Sequence, residues 1–210
     1  MRKIHGIAGI LAALALSGCG SSGTQGAQKL NFVERNENLR FDNTDVKRQV
    51  FDVNHDGQVD LWKFYAYKKL DDVEGPGDLL LIRKELDLNF DGRIDRIMYY
   101  NQKEELVSEE IDTNFDGTID RIHHYDKAIL VSTEFFQSEG NRVAIDGVNN
   151  PTVYPNMVRF FRNGKMTREE HDAECDGLRE RYVLFDVEGK ISQIGHDDDG
   201  DGVVEYWERM

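Results

Sequence analysis

Along most of the chain, apolar and aromatic side chains recur at every second position in short runs. Trp62 and Phe64, Ile97 and Tyr99, Ile122 and His124, and Tyr182 and Leu184 are such pairs. Lys63 and His123 separate members of these pairs, and Arg96, Arg121 and Arg181 precede others. A period of two with aromatic enrichment predicts β-strands. Asn101 to Glu104, Arg162 to Lys165 and Asp186 to Gly189 carry turn-forming residues and predict hairpin connections between strands.

Self-comparison shows why the strands recur. Asp52 to Asp60 (DVNHDGQVD) returns as Asp87 to Asp95 (DLNFDGRID) and as Asp112 to Asp120 (DTNFDGTID). Weaker copies begin at Asp172 and Asp197, so successive starts differ by 35, 25, 60 and 25 residues. A unit of 25 residues fits, with one degenerate unit in the long interval and extra residues near 70–79 and 140–156. All three prolines, Pro76, Pro151 and Pro155, fall in these inserts. The expectation is an all-β fold, an antiparallel hairpin or meander repeat whose turns are the acidic loops. Glu85, Glu110 and Glu170 precede Arg96, Arg121 and Arg181 by eleven residues. Facing positions across a hairpin account for that coupling, at about 0.2 to 1 kcal/mol per pair.

Composition narrows the function. With 26 basic and 40 acidic residues the chain carries a net charge of −14, the wrong sign for a nucleic-acid footprint. Two cysteines, Cys19 and Cys175, exclude a disulfide scaffold. Cys175 sits where other loops have Phe90 and Phe115 and is expected as a buried free thiol.

The N-terminus is basic at Arg2 and Lys3, apolar from Ile4 to Leu16 except for His5, and ends in Leu16-Ser17-Gly18-Cys19. This order reads as a secretion signal, and a span this short of the hydrocarbon core makes a permanent transmembrane helix the weaker reading. It resembles a bacterial lipoprotein lipobox. The resemblance implies removal of residues 1–18, lipidation of Cys19 and anchoring of the mature chain in a membrane of the cell envelope. Gly20 follows, where an Asp would imply inner-membrane retention, so the outer membrane is favoured. Residues 19–29 are small and polar and read as a flexible tether, leaving 30–210 as the β-repeat domain.

Oxygen side chains at loop positions 1, 3 and 5, Gly at 6 and an acid at 9 resemble the calcium loops of EF-hands and dockerin-like repeats. Calcium takes six to eight oxygens at about 2.3–2.6 Å, and a loop turned by Gly directs alternate side chains and the position-7 carbonyl at one centre. The resemblance implies Asp52, Asn54, Asp56, the Gln58 carbonyl and Asp60 as one ligand set. Asp87, Asn89, Asp91, the Arg93 carbonyl and Asp95 form a second, and Asp112, Asn114, Asp116, the Thr118 carbonyl and Asp120 a third. The fullest set is Asp197, Asp199, Asp201, the Val203 carbonyl, Glu205 and Glu208, because only there does position 12 hold the expected Glu. Lys63, Met98, His123 and Val183 occupy position 12 elsewhere. The implied cofactor is calcium at several low-affinity sites, about 10⁻⁴ to 10⁻³ M. The Asp172 copy is left outside the ligand set because Glu174 is longer than the Asn or Asp of the other loops.

No G-x-S-x-G, H-E-x-x-H or phosphate loop occurs, so an enzyme is not expected. His124 stands at a strand position held elsewhere by Phe64, Tyr99 and Leu184. Tyr100-Asn101, Tyr125-Asp126 and Phe185-Asp186 resemble the turn starts of tyrosine-aspartate repeats in bacterial surface proteins. The functional expectation is a lipid-anchored envelope protein, structural or protein-binding. Its partners are the membrane, through Cys19, and envelope proteins or a surface polymer. A metal-dependent envelope hydrolase is the alternative.

Overall fold

The structure, a computed structural model, describes residues 46–67, 79–136, 143–144 and 154–210. The expected signal peptide, tether and first insert up to residue 78 lie outside the described residues, as does most of the second insert.

The described chain forms fourteen strands and no helix. They are β1 (Lys47–Phe51), β2 (Leu61–Tyr67), β3 (Leu79–Leu86), β4 (Arg96–Tyr100), β5 (Leu106–Ile111), β6 (Thr118–Ile119) and β7 (Arg121–Asp126). Then follow β8 (Ile129–Phe135), β9 (Val143–Ala144), β10 (Met157–Arg162), β11 (Lys165–His171), β12 (Arg181–Phe185), β13 (Ile191–His196) and β14 (Tyr206–Arg209). Twelve of them pair in chain order into one antiparallel meander, β1 at one edge and β14 at the other, while β6 and β9 form a separate two-residue ladder. The sheet does not close into a barrel.

The acidic loops join β1 to β2, β3 to β4, β5 to β7, β11 to β12 and β13 to β14, so sequential antiparallel pairing gathers them at one end of the sheet. The degenerate unit is the β8–β10 arch, which carries the second insert. One hydrogen-bond rule unites all six arches. The N–H of position 9 closes each arch on the residue before position 1, as in Asp60 N to Phe51 O at 3.0 Å and Asp95 N to Leu86 O at 2.8 Å. Its carbonyl accepts the position-1 N–H of the next arch: Asp87 to Asp60, Asp112 to Asp95 and Asp197 to Glu180, all at 2.8–2.9 Å. In the degenerate arch Phe136 takes the place of position 1, donating to Asp120 O, and Asn156 that of position 9, accepting from Asp172 N. This spine is continuous from Asp60 to Asp197.

The pleat decides what the strands present. Leu86 lies opposite Arg96, and Glu85 lies opposite Ile97. Glu110 likewise faces Ile122 and Glu170 faces Tyr182. The expected Glu–Arg facing pairs are therefore corrected: the partners are one residue out of register, and with a side-chain period of two that puts them on opposite faces. Instead, Glu85, Glu110, Glu134 and Glu170 alternate across the sheet with Ile97, Ile122 and Val158 in one row. Their charges are met from within the same face. Arg83 Nη2 is 2.8 Å from Glu85, Arg168 Nε 2.9 Å from Glu170, and His124 Nε2 3.1 Å from Glu134. On the other face Arg96 pairs with Glu109, and Arg159 Nε lies 2.7 Å from Glu169.

The fully buried apolar cluster among the described residues is small, consisting of Ile119, Ile122 and Phe136. Position-1 aspartates supply much of the remaining interior: Asp112, Asp172 and Asp197 are wholly buried. Buried carboxylates are tolerated only when hydrogen-bonded, and the loops provide those bonds.

Candidate metal loops

Each loop is built around its first aspartate. Asp52 Oδ1 accepts from His55 N at 2.6 Å and Oδ2 from Gly57 N at 2.9 Å. Asp87, Asp112 and Asp197 repeat the arrangement with Phe90 and Gly92, Phe115 and Gly117, and Gly200 and Gly202. To aim these amides inward the backbone turns left-handed at positions 4 and 6. Position 4 has φ from 56° (Cys175) to 70° (Gly200), and position 6 is always Gly, with φ near 90°. A φ that large is open to Gly and strains other residues, which is why position 6 is Gly in all five loops.

Position 5 completes the turn, its Oδ1 accepting the position-7 amide: Asp56 from Gln58 at 2.7 Å, Asp91 from Arg93 at 2.9 Å and Asp201 from Val203 at 2.8 Å. That amide, with the Asn54 side chain, holds the Asp56 carboxyl below its ordinary value. In the first three loops the position-3 amide, Asn54, Asn89 or Asn114, donates to the position-5 carboxylate at 2.9–3.1 Å. Burial raises Asp95 and Asp172, against the pull of their amide donors.

Position 9 separates the loops into two kinds. Asp60 Oδ2 takes the amides of Val53 and Asn54, at 2.7 and 3.2 Å, and Asp95 Oδ2 those of Leu88 and Asn89. Asp120 Oδ2 takes Thr113 N at 2.8 Å. Where position 9 is Glu, one more methylene lets Oε2 hold the position-2 amide while the carboxylate also joins the loop centre. Glu205 Oε2 binds Asp198 N, and Glu180 Oε2 binds Ala173 N, both at 2.9 Å. Asp197, Asp199, Asp201 and Glu205 consequently offer ligand oxygens all within 4.8 Å of one another, and so do Asp172, Asp176 and Glu180. Among the described residues no such acidic group forms in the first three loops. Asn holds position 3 there, and Asp closes the arch.

The ligand set read for the last loop is thus brought together in its carboxylates, except Glu208. That residue lies on β14 opposite Ile194, its carboxylate 3.8 Å from His196 Nε2. Thr118, read as a carbonyl ligand, is drawn into the β6–β9 ladder opposite Ala144 of the second insert. The Asp172 cluster was not in the sequence-derived set. Its signal is Glu180, the only Glu at position 9 besides Glu205; Glu174 at position 3 is not part of the group.

That fourth loop also carries its own cation. Position 8 is Val59, Ile94, Ile119 or Val204 in the other loops and Arg179 here. Arg179 Nη1 lies 2.7 Å from Asp172 Oδ2, and its Nε 3.8 Å from Glu170. Cys175, expected as a free thiol, is disulfide-bonded, and no described cysteine is free.

These donors are all oxygens from carboxylates, amides and carbonyls, a set suited to a hard cation such as calcium. A family model described as EF hand matches residues 109–122, which span the end of β5, the third loop and the start of β7. No curated protein matches the chain. The chain is an all-β repeat protein with an EF-hand-like motif and acidic clusters able to chelate a metal ion.

Proposed function

We propose that the chain is a lipid-anchored protein of the cell envelope, structural or protein-binding, whose β-arches are stapled by calcium. The observation that carries the metal reading is the convergence of Asp197, Asp199, Asp201 and Glu205 within 4.8 Å. Four carboxylates held this close repel one another, and a divalent cation removes that repulsion. The EF-hand match on the third loop and the Asx pattern of the first two extend the same chemistry along the spine.

Stapling acts locally. Each arch is hydrogen-bonded to the next through positions 9 and 1, so a cation tightening one loop braces its neighbours. With about 1 mM calcium and a dissociation constant near 10⁻⁴ M, each filled loop adds about 1.4 kcal/mol. Flanking strands replace the helix pair of an EF-hand, so binding rigidifies the edge of a sheet and opens no groove.

Terbium luminescence with calcium competition tests the reading, since Trp62 and Trp207 follow loop acids closely in sequence and serve as sensitisers. A calcium-competed signal and a lower melting temperature in EDTA are expected. No competed signal at millimolar ion, with an unchanged melting temperature, refutes calcium stapling.

The anchor rests on the lipobox-like residues ending at Cys19. Intact-mass analysis of the mature chain from membranes discriminates: a chain beginning at a diacylated Cys19 supports anchoring, and an unlipidated chain rules it out.

A further inference from the structure

The two edges of the sheet are the two halves of an interface that the molecule already repeats internally. Between successive units, position 10 pairs with the residue before position 1 of the next loop, and position 11 with the residue before that. Thus Leu61 faces Leu86 and Trp62 faces Glu85; Arg96 faces Ile111 and Ile97 faces Glu110. Arg181 faces His196 and Tyr182 faces Gly195 in the last such pairing.

Extended past the last strand, the same rule sets Tyr206 of β14 against Phe51 of β1 in a second copy, and Trp207 against Val50. These are aromatic–aromatic and aromatic–β-branched pairs, among the more favourable across antiparallel strands. Val50 holds the row before a loop at the outer edge, where Glu85, Glu110, Glu134, Glu170 and Gly195 stand inside the sheet.

Among the described residues, exposure marks the positions on the two edges. Where a strand lies on both sides, position 11 is buried at Ile97 (4%) and Ile122 (1%) and half-buried at Trp62 and Tyr182, whereas Trp207 is 44% exposed. Val50 is 46% exposed, against 5% for Glu110 at the equivalent place. On its inner side the Trp207 ring lies so close over Gly195 that a Cβ there would be 2.9 Å from it.

Direction agrees as well. With twelve strands alternating in sense, β14 runs antiparallel to a β1 placed after it without turning the second copy over. The arch spine then continues, the Asp52 N–H of the second copy meeting the Glu205 carbonyl of the first. Glu208 falls diagonal to Lys47. Arg209 opposite Arg48 is a like-charge pair, as Lys63 opposite Lys84 already is within the sheet.

We infer that the chain associates with further copies of itself head to tail, β14 of one adding to β1 of the next. An interface of this heterologous kind propagates unless the rotation closes a ring, so chains of several copies result. This inference does not depend on the calcium reading.

Disulfide trapping tests it. In the full chain, Val50→Cys with Trp207→Cys places the two thiols directly opposite between copies, where antiparallel Cα atoms are about 4.5–5.5 Å apart. Within one copy the edges are eleven strand spacings apart, on the order of 50 Å. Mild oxidation should give a ladder of multiples of the monomer mass on a non-reducing gel, with each single variant stopping at dimers or monomers. Gln49→Cys with Trp207→Cys puts the thiols on opposite faces and should give less than a tenth of that ladder. Monomers from the first pair while both thiols remain reactive toward maleimide overturn the inference. Equal ladders from the two pairs overturn it too.

Discussion

Arg179→Met tests whether the fourth loop is held by a tethered cation in place of a metal ion. Asp172 is wholly buried and its Oδ2 lies 2.7 Å from Arg179 Nη1, while the arginine side chain keeps 17% of its surface. Removing one partner of a fully buried ion pair costs about 3–5 kcal/mol. Residual solvation of the arginine reduces this, and about 2–3 kcal/mol is expected in EDTA. Methionine preserves most of the aliphatic stem, so the loss reports charge and hydrogen bonding more than packing. The variant exposes the Asp172, Asp176 and Glu180 group to an external cation, so about 1 mM calcium should restore about 1.4 kcal/mol if the new site binds near 10⁻⁴ M. Urea denaturation with and without calcium measures both quantities, and terbium titration should show one site more than the parent chain. Asp172→Asn combined with Arg179→Met should be less destabilised than the sum of the single variants, because the orphaned charge is gone. An Arg179→Met variant as stable as the parent in EDTA refutes the tethered-cation reading; a loss that calcium leaves unchanged, with no added terbium site, refutes the latent metal site.

Glu110 is buried, its Oε1 has no hydrogen-bond partner, and burial raises its pKa from 4.5 to about 7 against the Tyr99 hydrogen bond. Its protonated form is the one that the fold favours, so its contribution is fully present below pH 4.5 and is lost as pH rises through 7. Glu110→Gln should flatten that fall and raise stability at pH 8 by up to about 3 kcal/mol; a variant with the parent's pH profile, followed by thermal unfolding from pH 4 to 8, counts against it. Gly177→Ala and Gly92→Ala both force alanine to a φ near 90°, a strain of about 1–3 kcal/mol. A Cβ at Gly177 would also lie 2.7 Å from Tyr154 Cε1, whereas the nearest atom at Gly92 is 3.9 Å away. The first variant should therefore be the less stable in chemical denaturation, and equal losses would contradict the packing. Glu205→Asp shortens the one carboxylate that reaches both Asp198 N and the cluster, and should weaken terbium binding at the last loop about tenfold, or about 1.4 kcal/mol; unchanged affinity would show that this reach does not matter.

The alternation around Trp62, Ile97 and Ile122 and the return of D-x-N-x-D-G-x-x-D were enough to read strands, turns and an antiparallel meander. Both signals are local, since side-chain direction in a strand depends on residue parity and the loop turn depends on Gly at position 6. The degenerate unit was readable as an interval of 60 residues. Its form was not, because Phe136 and Asn156 replace Asp at the two spine positions and are joined to their neighbours only through main-chain groups, which carry no residue signature.

Residue type and spacing alone determined that the acid of this chain is concentrated in repeated loops and that those loops close hairpins. Tertiary structure decided register and convergence. Glu85 and Arg96 are coupled in sequence yet lie on opposite faces, because one residue of slip across a pleated pair reverses the side. Five loops share a pattern, but carboxylates gather in only two of them, because a single methylene at position 9 separates a side chain spent on backbone amides from one that also reaches the centre. Arg179 was just a charged residue in the sequence until folding set it against Asp172, and whether a loop needs an external cation depends on that contact.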